Sequence, residues 1–191
     1  MKSLKGTQTE KNLLAAFAGE SQARNRYTYF ASEAKKAGFE QIAALFLETA
    51  ENEKEHAKVY FKHLQGGMVE ITAMYPAGVI GKTEENLKEA ADGEKMEWGT
   101  LYPEFGDIAE KEGFLEVALS FRNIAKVEAH HEKRYRKLLE NLVKKQAFKK
   151  DKPVKWMCRN CGFVHEGPEA PAMCPACKHP QSYYEILAEN Y

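Results

Sequence analysis

FLETAENEKEHAKVY (residues 46–60) and FRNIAKVEAHHEKRY (residues 121–135) are two versions of one segment, offset by 75 residues. The offset pairs Phe46 with Phe121, Ala50 with Ala125, Glu53 with Glu128, His56 with His131 and Tyr60 with Tyr135. It also pairs Tyr27 with Tyr102, and the step Gly38-Phe39 with Gly113-Phe114. Apolar residues recur at helical spacing in both copies, so each copy reads as one helix of a related helix pair. Two such pairs make one closed bundle rather than a turn of an extended array.

The rest of the front part agrees. Residues 8–36 carry Leu13, Leu14, Phe17, Tyr27 and Phe30 at helical spacings and end at Gly38. Residues 39–65 continue with Ile42, Leu45, Phe46, Ala50, Val59 and Leu64 and stop at Gly66-Gly67. The stretch 66–82, GGMVEITAMYPAGVIGK, reads as a long connection with some extended character. A third helix is expected after Thr83 as N-cap, with Asn86 following, and it should run to about residue 112 despite Pro103. Gly113 breaks it, and a fourth helix is expected over 114–146. The reading is a mainly α four-helix bundle with one long crossover between the second and third helices.

The repeat carries chemistry. Glu53-x-x-His56 and Glu128-x-x-His131 each place a carboxylate and an imidazole on one helical face, three residues turning through about 300°. Glu20 and Glu94 come from the other helix of each pair. Two bridging carboxylates, with one terminal carboxylate and one imidazole per metal, meet the needs of a dinuclear iron or manganese site. A lone Glu-x-x-His is usually a solvated helix face. Two copies at repeat-equivalent positions, on stripes that otherwise face inward, reverse that expectation, because a core does not bury carboxylates without cations.

Glu97 lies three residues after Glu94 on the same face. It is either a surface or supporting residue, or it exchanges with His56 as the metal charge changes; exchange is the favoured reading. Glu20 and Tyr27 are seven residues apart, Glu94 and Tyr102 eight. One residue absorbed in a π-bulge would restore the facing of Tyr102, and Pro103, which cannot donate to Gly99, places it between Glu97 and Pro103. Tyr27 and Tyr102 then become donors to ligand carboxylates, although packing aromatics explain each singly almost as well.

All four cysteines fall in the last 34 residues, as Cys158-x-x-Cys161 and Cys174-Pro175-x-Cys177. These are two knuckles of a tetrathiolate site for iron or zinc. A unit this short needs the metal to fold, with Trp156, Phe163, Tyr183, Tyr184 and Ile186 as its small core. Composition shifts near 147–153, so the chain divides into residues 1–149 and 150–191. His165 and His179 read as polar or supporting groups, His63 and His130 as surface.

Lys plus Arg and Asp plus Glu number 28 each, so the formal net charge is zero. That argues against a nucleic-acid binder, and no apolar run suggests a membrane span or signal peptide. A cytoplasmic protein is expected. With five glutamates assigned to metal, 28 basic groups face 23 acidic ones, a mildly cationic exterior.

Over its full length the chain closely resembles the rubrerythrin family. The paired Glu-x-x-His motifs with Glu20, Glu94 and Glu97 look like its ferritin-like di-iron bundle, and WMCRNCGFVHEG…PAMCPACK like its rubredoxin-like domain. The resemblance implies an oxo- and carboxylate-bridged di-iron site held by Glu20, Glu53, His56, Glu94, Glu97, Glu128 and His131. It implies one further iron on Cys158, Cys161, Cys174 and Cys177. It also implies a homodimer, His56 replacing Glu97 on reduction, an anaerobic sulfate-reducing source, and peroxidase activity against oxidative stress. Electrons would come from an external NADH-dependent reductase or a rubredoxin, since no nucleotide-binding glycine motif is present. The other readings are a ferroxidase or iron-handling protein, and a zinc-ribbon binding module on a helical scaffold.

Overall fold

The computed structural model describes residues 3–190. Helix α1 (Gln8–Lys36) starts at Thr7, whose Oγ1 accepts from Glu10 N–H, and α2 is Glu40–His63. Between them Gly38 takes φ +82°, and Phe39 N–H bonds back to Ala34 O at 2.9 Å. The same turn recurs 75 residues on. Gly113 has φ +83°, and Phe114 N–H bonds to Ala109 O at 2.8 Å. A left-handed residue after each helix calls for glycine, which is why the Gly-Phe step repeats.

Helix α3 (Thr83–Met96), a π turn (Glu97–Leu101) and α4 (Tyr102–Lys111) follow one another without a break, and α5 (Leu115–Val143) returns along them. The wide hydrogen bonding expected before Pro103 is present: Tyr102 N–H donates to Glu97 O. Three details differ from the sequence reading. The cap of α3 is Lys82 rather than Thr83; Glu85 accepts Lys82 N–H at 2.8 Å, and Asn86 clamps Gly81 N–H and C=O. The crossover 66–82 forms no strand. Helix α5 stops at Val143, short of 146, because Lys145 adopts φ 54° and ends the ladder.

Two aromatic triads sit in related positions of the two halves. Tyr27, Phe46 and Tyr135 have ring centroids 5.1–6.0 Å apart. Tyr102, Phe121 and Tyr60 repeat the arrangement at 4.9–5.9 Å. All six are buried, and they fix the helices on both sides of the carboxylates.

The C-terminal module is a three-stranded antiparallel sheet, β1 (Lys149–Cys158), β2 (Val164–Glu169) and β3 (Tyr184–Ile186), in the order β2-β1-β3. The β1–β2 register shifts between Lys149 and Val154, a segment containing Pro153, which has no N–H to give a ladder. Trp156, Ala170, Tyr184, Cys158 and Cys174 form its core. Ile186, expected there, is 42 % exposed. The module meets the bundle where Phe148 stacks on Phe39 at 5.9 Å. No helix of the described residues is long and apolar enough to cross a membrane.

Candidate metal centres

The bundle brings the two Glu-x-x-His motifs face to face. Glu20, Glu53, His56 and Glu128 form one group whose ligand atoms all lie within 4.8 Å of one another. Glu53, Glu94, Glu128 and His131 form a second. Glu53 and Glu128 belong to both. His56 Nδ1 lies 2.8 Å from Glu53 Oε2 and 2.8 Å from Glu128 Oε1. His131 Nδ1 lies 2.8 Å from Glu128 Oε2 and 3.3 Å from Glu53 Oε1. Glu97 belongs to neither group; it is half-buried on the π turn.

The tyrosines reach across the halves. Tyr27 Oη donates to Glu94 Oε1 and Tyr102 Oη to Glu20 Oε1, each at 2.5 Å. Burial first, and then the facing carboxylates, push both phenols well above their ordinary range, so both remain donors. Without the π turn, Tyr102 would sit about 100° away from Glu20.

Sequence reasoning missed Asn52, whose Oδ1 lies 3.2 Å from His131 Nε2. Accepting that N–H fixes the tautomer that turns Nδ1 toward the carboxylates, the usual way a metal-binding imidazole is oriented. Its repeat counterpart is Val127, so the internal comparison carries no signal for it. His63, read as surface, is half-buried and bonded to Ser120 Oγ at 2.9 Å, whereas His130 is exposed.

The donor set fits cations. Buried oxygens of Glu20, Glu53, Glu94 and Glu128, with His131 Nδ1, meet no hydrogen-bond geometry among the described residues. Burial and then Glu128 push Glu20 well up; burial and then Glu53 push Glu94 up to about 8. Burial opposes the charged forms of the other members too. Even so, the close carboxylates of Glu128 and Glu53 lift His56 to about 10, and with Glu94 they lift His131 to about 12, while Glu53 is held down to about 2 by the two imidazoles. Bound cations would offset the mutual repulsion of these buried carboxylates.

A pH prediction follows from these directions. The raised carboxylates stabilise the fold only while protonated, and lose that contribution as pH climbs from their ordinary range toward about 8. The raised imidazoles contribute fully below about 6.5 and lose it toward 10–12. Glu53 works oppositely, but only below its ordinary range. Metal binding strengthens over the same interval, because the ligands must be deprotonated. The Tm gap between iron-loaded and chelator-stripped protein should therefore widen from about pH 5.5 to about 8.5. A constant or narrowing gap in a thermal melt series would count against the cluster as the cation site.

In the module, Cys158, Cys161, Cys174 and Cys177 place their sulfurs within 4.8 Å of one another. The Sγ distances Cys158–Cys177 and Cys161–Cys174 are 3.7 Å. A tetrahedron with ~2.3 Å metal–sulfur bonds has edges of about 3.8 Å, and a disulfide is excluded at that separation. The backbone N–H of His179 pulls the Cys177 thiol down to about 6, whereas neighbouring thiols override the Phe163 N–H and push Cys161 up to about 12. Only a bound cation lets all four ionise together.

Residues 11–139 match the family model described as rubrerythrin, and residues 156–185 match the one described as the rubrerythrin rubredoxin-like domain. The chain belongs to the rubrerythrin family. The rubrerythrin of Porphyromonas gingivalis is 60 % identical over 190 residues, covering 100 % of this chain and 95 % of that protein. That of Nitratidesulfovibrio vulgaris is 53 % identical over 191 residues, covering all of both. Among solved structures, partially reduced nigerythrin is 31 % identical with a TM-score of 0.63, covering 97 % of this chain and 89 % of its own. Nigerythrin in its fully reduced, all-ferrous state is 28 % identical with a TM-score of 0.59, covering 97 % and 92 %. As a rubrerythrin-family iron protein, the chain has a ferritin-like bundle with a di-iron carboxylate and histidine site, and a four-cysteine rubredoxin-like site. The second of these is an electron-transfer module.

Proposed function

We propose that this chain reduces hydrogen peroxide to water at the di-iron site, with electrons entering through the four-cysteine module. The observation that carries the reading is the joining, in one chain, of a two-metal carboxylate cage to a one-electron tetrathiolate centre. Peroxide reduction consumes two electrons and two protons, which a two-metal site can store and a single-iron centre can replenish one at a time. Residues 1–149 act as the catalytic unit and residues 150–191 as the electron entry.

In this reading Glu53 and Glu128, common to both ligand groups, would each serve two metals. Glu20 with His56 would hold one and Glu94 with His131 the other, and Glu97 would exchange with His56 as the oxidation state changes. Bound iron supplies the electrons and a Lewis-acidic template that orients the oxygens. The chain's own contribution is positional and protonic. Tyr27 and Tyr102 hold the terminal carboxylates, Asn52 holds His131, and the phenols with Glu97 hand on protons. The mixed-valence, partially reduced and all-ferrous forms named for nigerythrin show iron changing oxidation state in that relative, which supports redox work here. A cytoplasmic homodimer served by an NADH-dependent reductase or a rubredoxin completes the reading, the cationic exterior suiting an acidic donor.

Anaerobically reduced, iron-loaded protein holds three electrons, two at the paired irons and one at the module, so with excess hydrogen peroxide it should consume more than one equivalent per chain and regain its iron–thiolate colour as the module gives up the third. Peroxide left intact, or consumed while the module stays reduced, overturns the proposal.

A further inference from the structure

Beside Glu97 lies a cavity of about 370 Å³. It sits between α1 and the α3–π–α4 rod, under crossover residues 72–76. Its walls are mostly apolar: Ala15 from α1, Leu101 and Phe105 from the rod, Met74 and Pro76 from the roof. Gln22, Arg26 and Thr72 add polar atoms, and Glu97 and Tyr102 place the polar end against the metal cluster, where Tyr102 Oη bonds Glu20.

The room far exceeds what hydrogen peroxide needs. At ~30 Å³ per water, hydrogen peroxide takes roughly 60 Å³, and an apolar cavity of about 150 Å³ already holds benzene. Both helical walls are bare at glycine. A Cβ built on Gly19 meets nothing within 4 Å, and one on Gly93 meets Arg26 Nη2 at 3.6 Å. We infer that the site also accepts alkyl and aryl hydroperoxides, the organic group seated in this cavity and the hydroperoxyl end beside Glu97 and Tyr102. Gly19 and Gly93 set how large that group can be.

The inference rests on the peroxide-reductase reading above. The reaction is ROOH plus two electrons and two protons giving ROH and water. The O–O bond breaks, one oxygen leaves as water, and the other stays on carbon as the alcohol. The electrons come from the same external nicotinamide-linked donor, and the protons from solvent.

The test compares hydrogen peroxide with cumene hydroperoxide as substrates of the iron-loaded full chain and its Gly19→Leu variant. Binding of 2-phenyl-2-propanol, the unreactive alcohol product, is titrated alongside and located by crystallography. The wild type should reduce both peroxides and bind the alcohol in the cavity. Leucine at position 19 favours the helix and should grow into the open space. It should lower kcat/KM for cumene hydroperoxide about tenfold or more, hold hydrogen peroxide within about twofold, and exclude the alcohol. Should that variant fail to fold, Ala15→Leu, one turn away on the same wall, carries the same expectation. Hydrogen peroxide turned over without cumene hydroperoxide, an equal loss of both in the variant, or alcohol bound elsewhere overturns this inference and leaves the parent reading standing. Turnover of neither peroxide overturns both.

Discussion

Glu53→Gln should strip iron from both halves of the bundle at once, whereas Glu20→Gln should weaken one half. The two residues are both buried glutamates, and composition does not separate them. Geometry does. Glu53 belongs to both ligand groups, with one oxygen 2.8 Å from His56 Nδ1 and the other 3.3 Å from His131 Nδ1; Glu20 belongs to one group. An amide at position 53 keeps the shape but exchanges one of these oxygens for an NH₂, which cannot ligate and turns a donor toward an imidazole. The stripe of Phe46, Ala50 and Tyr60 on the same helix stays buried, so helicity should be unchanged. Removing a residue that merely supports a ligand costs about 10–100-fold in metal affinity or activity. Loss of a shared ligand should cost peroxide consumption about two orders of magnitude or more. Metal analysis reads the result directly, the four-cysteine iron serving as an internal standard in each sample. A Glu53→Gln protein that still carries two irons in its bundle would remove Glu53 from the bridging position.

What the sequence disclosed follows from where the repeat imposes the same demand twice. A two-metal site needs equivalent ligands from both halves, so Glu53 and Glu128, and His56 and His131, stand out at one offset. The Gly-Phe turns stand out for the same reason, since each requires a positive φ. The π turn was legible as a failure of the offset, Glu20 to Glu94 being 74 residues while Tyr27 to Tyr102 is 75. Features used once left no such trace. Asn52 orients one histidine and faces Val127 in the comparison. The cap at Lys82 depends on the Glu85 side chain reaching back, whereas residue type alone points to Thr83. Lys145 ends α5 through a left-handed backbone that lysine does not advertise. Glu97 is the instructive case: its spacing from Glu94 puts it on the ligand face, but the π turn that begins with it leaves it half-buried on the wall of a cavity.

The C-terminal module should fail differently. Cys158→Ser should unfold residues 150–191 as a unit while the bundle keeps its helicity and its Tm. Cys158 is fully buried at the end of β1, where that strand pairs with both neighbours; its N–H bonds Phe163 O and its C=O accepts from Gly162 N–H, each at 2.8 Å. Trp156, Ala170 and Tyr184 are its fully buried apolar companions besides the cysteines. So small a core cannot offset the ordering of some forty residues, at roughly 1–2 kcal/mol each for the backbone alone. A tetrathiolate metal contributes on the order of 10–16 kcal/mol in comparable small domains, so metal binding and folding are one event here. Cys161, exposed on the other knuckle, makes the informative contrast. Serine there loses the same ligand without burying a hydroxyl among apolar groups, so its module should unfold in the same event but regain more of the sheet when iron is supplied in excess. Near-ultraviolet and far-ultraviolet circular dichroism would separate the two variants, and loss of iron–thiolate absorption would mark both. Steady-state peroxide consumption then divides structure from electron delivery. With the physiological donor Cys158→Ser should lose about tenfold or more, while a small artificial reductant that reaches the bundle directly should still drive turnover. Equal rates with the physiological donor would take the module out of the electron path, and would leave the pairing of the two metal centres in one chain without the purpose proposed for it.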